Sequence, residues 1–399
     1  MTDTNQQKIQ EVLTRGVEEI LVKENFKQRL ERGDKLRIKF GIDPTGNVLH
    51  LGHSVCLLKL KELQYLGHQI IFLIGDFTAR IGDPTGRISK RAPLSEKQIR
   101  ENMKSYKKQA GLILDLRKVE TRYNSEWWNK MNLTEMMQLA MKVTYSQVSA
   151  REDFKKRLAE DQDFTVEEFL YPVLQGYDSV ELNADLEVGG TDQKFNMLMV
   201  RRIQKRYDQK EQDVITIPIL EGLDGKEKMS KSLGNYIALT ENPEEMFAKI
   251  MSIQDSLIGK YFEFCTRTPI VKIEEIKKMS NPRDQKAILA KEIVKMYHGE
   301  KKAQKAQEEF DKVHRDKELP TDMPVFTTDK KEYFVLDLLF DAKLCASKNE
   351  AKRLVEGGGV EIINGDKKDR IIDWKKPVDL QEGIIIKVGS RKFIKIHLV

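Results

Sequence analysis

The sequence predicts an α/β protein: a doubly wound, parallel-sheet domain over residues 1–240, a helical segment over 241–318, a linker over 319–331 and a small α+β module over 332–399. Three observations carry that reading. Short apolar runs alternate with helix-length amphipathic stretches through the first half of the chain, the pattern of a sheet wound with crossover helices. Turns dense in glycine, proline and aspartate separate them, and short strands return at the end around Gly357-Gly358-Gly359 and Asn364-Gly365. A chain of 399 residues is also too long for a single core.

Taken in order, a polar helical opening precedes Leu36-Arg37-Ile38-Lys39-Phe40, whose apolar–polar alternation is that of a strand. Gly41 to Asn47 is a run of turn formers and predicts a loop. From Leu51 to Leu66 the residues Leu51, Val55, Leu58 and Leu63 keep helical spacing until Gly67 stops the helix. Gln69 to Ile74 is nearly all apolar, as in a strand covered on both faces. Gly82-Asp83-Pro84-Thr85-Gly86 is a second loop, and Ser95 with Gln98 forms a capping box that opens the next helix. Leu182 to Val188, Gly189-Gly190 and a helix from Asp192 to Arg206 repeat the unit of strand, glycine turn and helix, and Ile215 to Leu220 closes the series. In such a sheet ligands gather outside the carboxyl ends of the strands. Asn242 to Arg315 is charged and helical in pattern, and Leu319 to Lys331, with Pro320 and Pro324, reads as linker.

Composition excludes several classes. The longest apolar runs, such as Ile70 to Ile74, are strand-sized, so no segment is expected to span a membrane. Met1 to Gln7 has neither a basic flank nor an apolar stretch, so a cytoplasmic protein is expected. Three widely spaced cysteines, Cys56, Cys265 and Cys345, form neither a disulfide framework nor a zinc cluster, and no protein-bound metal is expected. The net charge of +6 is modest, but residues 87–108 concentrate Arg87, Lys90, Arg91, Lys97, Arg100, Lys104, Lys107 and Lys108 against Glu96 and Glu101. On charge alone that run fits a solvated helix face.

Two motifs carry chemistry. His50-Leu51-Gly52-His53 stands where the first loop runs into a helix, and a helix N-terminus there offers free N–H groups to a phosphate. Gly52 lets a nucleotide approach the backbone, and the two imidazoles, three residues apart, share a face and can donate to phosphate oxygens, more strongly if protonated. Lys228-Met229-Ser230-Lys231-Ser232 follows the last strand and places two ammonium groups on a glycine-flanked loop. Lysine serves there as a flexible point charge on a polyphosphate. Tyr171, Gln175 and Asp178 are spaced i, i+4, i+7 and line one helical face.

With both motifs in order, the chain resembles the class I aminoacyl-tRNA synthetases, and within them the tyrosyl-tRNA synthetases. Gly41-Ile42-Asp43-Pro44-Thr45, Gly82-Asp83-Pro84-Thr85-Gly86, Tyr171 to Asp178 and Val188-Gly189-Gly190-Thr191-Asp192-Gln193 match the family's loops and turn over nearly the whole chain. The resemblance implies a Rossmann-like catalytic domain that joins L-tyrosine to ATP and passes it to tRNA(Tyr), with Mg²⁺ on the phosphates. His50, His53, Lys228 and Lys231 become the expected catalytic residues. Gly41, Asp43, Thr45, Gly52, Asp192, Met229, Ser230 and Ser232 join them around ATP. It further implies that Asp83, Tyr171 and Gln175 hold the ammonium of tyrosine, that Gln193 touches its carboxylate side and that Asp178 faces its phenol.

Where the family commonly has a tyrosine two residues before the loop's first glycine, this sequence has Lys39. That tyrosine is a second phenol partner, so Lys39 either points elsewhere, replaces it as a donor, or marks a divergent subfamily. The synthetase resemblance implies that the helical domain over 241–318 contacts tRNA; residues 346–365 resemble the S-four-type RNA-binding domain of 332–399, which implies phosphate contacts from Lys348, Lys352 and Arg353. The resemblance also implies a homodimer. The rival readings are a tryptophanyl-type synthetase, a small-molecule nucleotidyltransferase and a synthetase-derived RNA-binding protein without catalysis.

Overall fold

The computed structural model describes residues 2–85, 94–163, 165–314, 323–365, 367–389 and 392–399. Gly86, Arg87, Lys90 and Arg91 of the predicted loop and basic run, and Leu319 and Pro320 of the predicted linker, lie outside the described residues. The chain forms two compact units, Met1–Ala303 and Gln304–Val399. The helices from Pro243 to His298 therefore pack in the same unit as the sheet, a coarser division than the one read from composition.

The first unit is built on a six-stranded sheet: β1 (Glu19–Leu21), β2 (Arg37–Ile42), β3 (Gln69–Ile74), β4 (Val119–Tyr123), β5 (Leu186–Gly190) and β6 (Asp213–Ile217), in the order β1-β6-β5-β2-β3-β4. All neighbours are parallel except β1, which pairs antiparallel with β6 and makes the sheet mixed at that edge. β1 and β4 escaped the sequence reading because a three-residue strand and a half-buried one carry too little periodicity. The order reverses between β2 and β5, and Lys39 stands opposite Glu187 at that line. This is the switch point at which a crevice opens beyond the strand ends. Helix Leu51–Tyr65 covers one side, its Leu57, Leu60 and Leu63 fully buried. Helix Val166–Leu182 lies so close to helix Lys194–Arg206 that a Cβ on Gly176 would stand 2.3 Å from Ile203 Cδ1, so only glycine fits there.

Arg29, on helix Lys23–Glu31, ties the strand beginnings together. Its guanidinium reaches Asp185 at 2.5 Å and Asp213 at 3.3 Å, while Asp185 also accepts from the Arg37 backbone N–H at 2.9 Å. The strands β2, β5 and β6 are thus pinned at one end, which holds their opposite ends in register.

In the second unit, β9 (Val360–Asn364), β10 (Lys367–Arg370), β12 (Ile385–Val388) and β13 (Lys392–Leu398) join β7 (Val325–Thr328) in a five-stranded sheet, with β8 (Glu332–Phe334) and β11 (Pro377–Asp379) in a separate pair. The helices Val335–Asp341 and Lys348–Glu356 close a core of Val335, Leu338, Leu339, Val355, Val360, Ile386 and Ile396. The stretch read as linker contributes β7, which runs parallel to β13. Its proline-flanked run lacked a strand signal because the pairing partner lies at the far end of the chain.

Replacing Arg29 with Met leaves two carboxylates without their cation, one of them almost fully buried. Breaking a buried pair from one side costs about 3–5 kcal/mol, so calorimetry on R29M is expected to show a clearly lowered unfolding temperature. An unchanged temperature would remove Arg29 from this role.

Candidate active site

Beyond the carboxyl ends of β2, β3, β5 and β6 lies a cavity of about 440 Å³. Every residue expected around ATP or tyrosine lines it, from Gly41, Asp43 and Thr45 through Asp83, Tyr171, Gln175 and Asp178 to Asp192, Gln193 and Lys228 to Ser232. The loops converge because each leaves the same edge of one sheet.

At the mouth, the first histidine is the N-cap of helix Leu51–Tyr65. The backbone N–H of His50 donates to His53 Nδ1 at 3.2 Å, which places the His53 proton on Nε2, and the two rings lie 3.9 Å apart. His50 Nδ1 is buried and has no partner among the described residues. Burial, His53 and then Lys231 push the His50 imidazole far below its usual range; burial and then Lys231 push His53 down to about 3. Both rings are therefore neutral near pH 7, donors by N–H rather than charges, the first of the two states that the sequence left open.

The lysine loop is laced to this helix. Gly52 N–H lies 3.4 Å from Met229 Sδ, and Leu51 N–H donates to Ile237 O at 3.0 Å. Lys231 Nζ donates to Tyr106 OH at 2.9 Å and stands 2.7 Å from where a Cβ on Gly46 would be, so it spans the first loop. Lys228 pairs with Asp192 at 3.3 Å, both partly exposed.

The deep end is acidic. Asp43 accepts from Thr78 Oγ1 at 2.8 Å and from Tyr171 OH at 2.9 Å; burial, opposed by the Thr78 bond and reinforced by Asp83, raises its carboxyl to about 7. A Cβ on Gly75 would stand 2.1 Å from Asp43 Oδ1, so this loop needs glycine. Asp178 accepts from Trp127 Nε1 and Trp128 Nε1, each at 2.8 Å, and from Asn124 Nδ2 at 3.3 Å. Burial raises Asp178 to about 6, while Lys39 and these three donors hold it down. Asp83 accepts from Gln193 Nε2 at 2.6 Å and has Arg151 3.7 Å away. The arrangement offers fixed acceptors for an ammonium and a hydroxyl inside, and donors and cations for a polyanion outside.

The comparisons with known proteins agree with this geometry. Residues 30–315 match the family described as tRNA synthetases class I (W and Y). The chain belongs to this family. A tyrosine–tRNA ligase of Thermotoga maritima is 47% identical over 401 residues, covering 99% of this chain and 98% of its own. That of Carboxydothermus hydrogenoformans is 47% identical over 400 residues, 97% of each. Within the family the chain thus sits on the tyrosyl branch. A tyrosyl-tRNA synthetase of Archaeoglobus fulgidus, solved in complex with L-tyrosine, superposes with a TM-score of 0.60 at 26% identity over 75% of this chain and 99% of its own. A mitochondrial tyrosyl-tRNA synthetase of Aspergillus nidulans gives 0.65 at 24% identity over 77% and 94%, a likeness of fold.

In this synthetase the sequence reading missed Thr78, Asn124, Trp127, Trp128, Arg151, Glu187 and Asn196, which hold the expected residues in place. Glu187 alone carried a signal, a carboxylate inside the apolar strand Leu186-Glu187-Val188. The others sit on loops and helices whose spacing resembles any surface.

Replacing Tyr106 with Phe removes the hydroxyl that anchors Lys231, an interaction of about 1 kcal/mol. Trypsin cleavage at Lys231 is expected to accelerate about fivefold; an unchanged rate would show that the loop is held elsewhere.

Proposed function

We propose that this protein is a tyrosine–tRNA ligase, acting in the cytoplasm. The carboxylate of L-tyrosine attacks the α-phosphorus of ATP, the bond to the β-phosphate oxygen breaks, and tyrosyl-adenylate and pyrophosphate result. A ribose hydroxyl at the 3′ end of tRNA(Tyr) then attacks the activated carbonyl and AMP departs. A carboxylate is already a nucleophile at neutral pH, so the work is positioning and stabilisation of phosphate charge. The observation that carries this reading is the meeting of His50 and His53 with Lys228 and Lys231 at the mouth of a cavity whose inner end holds Asp178.

In the proposed roles, Lys228 and Lys231 exchange Asp192 and Tyr106 for the leaving pyrophosphate, and His53 Nε2–H and the His50 ring donate to phosphate oxygens. Gly41, Thr45, Gly52, Met229, Ser230 and Ser232 supply the walls of the ATP site, and Asp192, freed of Lys228, takes the ribose hydroxyls. Asp83, Tyr171 and Gln175 receive the ammonium of tyrosine and Gln193 its carboxylate side. Tyr171 acts through Asp43, which it already holds. Asp178 accepts the phenolic O–H; the tyrosyl over the tryptophanyl reading is supported by the tyrosine–tRNA ligases that are 47% identical to this chain. Among the described residues no three His, Cys, Asp or Glu side chains gather as a metal cage. We therefore assign Mg²⁺ to the ATP that carries it, as part of the substrate.

Residues 332–399, within the second unit, are proposed to bind tRNA as an S-four-type domain. Lys348 and Arg353 are exposed on helix Lys348–Glu356, and Lys352 lies 4.7 Å over the Trp374 ring, a cation beside an aromatic face. A homodimer is supported by the stripe Leu133, Met137 and Met141 at i, i+4, i+8, exposed by 77%, 56% and 80%. Such a stripe on a family member of this size fits a second copy of the chain. No helix among the described residues is long and apolar enough to cross a membrane.

Pyrophosphate exchange over all twenty amino acids is expected to respond to tyrosine. His50→Ala and Lys231→Ala are expected to slow that exchange by about 100-fold or more while equilibrium dialysis finds tyrosine bound nearly as before; loss of tyrosine binding in both would refute the assigned roles. Met141→Glu is expected to shift sedimentation equilibrium from dimer to monomer, and an unshifted mass would move the interface elsewhere.

A further inference from the structure

Lys39 is fully buried. An ammonium has three N–H donors; here it donates to the Gln175 carbonyl at 3.1 Å and to Ser179 Oγ at 2.8 Å, and Glu187 Oε1 stands 3.1 Å away as its ion-pair partner. Its ammonium is engaged by these chain partners, and its effect on a substrate phenol runs through them. Its neighbours carry its effect into the cavity. Glu187 Oε1 also accepts from Gln175 Nε2 at 3.2 Å, and Glu187 Oε2 from Gln212 Nε2 at 2.5 Å. Gln175 Oε1 in turn accepts from Asn196 at 3.0 Å, so the carboxamide is fixed at both ends.

On helix Val166–Leu182, Asp178 lies about one turn beyond Gln175 and directly before Ser179. The charged and titratable groups that line the cavity with it include Asp43, Asp83, Tyr171 and the ion pair of Lys39 with Glu187. The indoles of Trp127 and Trp128 and the amide of Asn124 complete the surroundings. Lys39 is the strongest influence that opposes the burial of the Asp178 carboxylate, ahead of the two indoles.

Resting on the ligase reading, we propose that Lys39 is a positioning residue for tyrosine selection: with Glu187 it locks the Gln175 carboxamide, and by bonding Gln175 O and Ser179 Oγ it sets its ammonium against the helical turn that carries Asp178, the acceptor of the substrate's phenolic hydrogen. A protonated Asp178 presents a competing O–H and loses much of its advantage for tyrosine over phenylalanine.

The test is tyrosine-dependent pyrophosphate exchange on the full chain from about pH 5 to about pH 9. In the wild type the KM for tyrosine is expected to rise as pH falls through about 6, where Asp178 gains its proton. Removing an opposite charge from beside a carboxylate moves its titration upward by roughly one to three pH units. Lys39→Met is therefore expected to raise the tyrosine KM about tenfold at pH 7 and to recover toward wild type near pH 9, with the KM for ATP unchanged and the preference over phenylalanine reduced. If Lys39→Met leaves Glu187 uncompensated and does not fold, K39M/E187Q removes both charges and is expected to show the same pH-dependent loss. A tyrosine KM in the folded variant that is unchanged, or raised equally at every pH, overturns the proposal, as does a flat wild-type profile. Wild-type enzyme with no tyrosine-dependent exchange sinks the ligase reading instead.

Discussion

The pairing of β2 with β5 is the constraint on which the molecule depends. From that line the sheet grows outward in two directions, to β3 and β4 on one side and to β6 and β1 on the other. Loops that leave neighbouring strands here diverge and leave a crevice, which the parallel geometry places at the carboxyl ends. Both faces of the sheet are covered, so a charge within these strands must meet an opposite one. Lys39 and Glu187 do so in register across the line, and the site stands directly on that pair.

The cavity above it is zoned by charge. Carboxylates occupy the inner end, where burial lifts Asp43 to about 7 and Asp178 to about 6. Ammonium groups and neutral imidazoles occupy the mouth. The gradient suits a substrate that enters with its cationic and hydroxyl ends inward and meets a polyanion at the outside. It also explains why the histidines are neutral: each is buried and faces Lys231, so protonation would add a second buried positive charge. In the proposed role their contribution is direction, which N–H groups held by a helix N-terminus supply without the cost of a buried cation.

Much of this was legible from residue order. The strands β2 and β3, the helix after the first loop and the Ser95 capping box follow from periodicity and local hydrogen bonding, which act over a few residues. The His50–His53 and Lys228–Ser232 segments were legible as motifs because backbone turns and charges at fixed spacing leave a local trace. β1, β4 and β7 were not, since a short edge strand exists only through its partner. Nor was the setting of Asp178, whose carboxylate accepts from two indoles and an amide of a separate segment.

What the sequence determined by itself was the class of fold, the two motifs and the family, because these rest on local propensity and on residue types at short spacing. Tertiary structure alone decided which loops meet over the β2–β5 line, which imidazoles stay neutral and which partners hold Lys39. Those outcomes depend on burial and on contacts between residues more than a hundred positions apart, which no local pattern encodes.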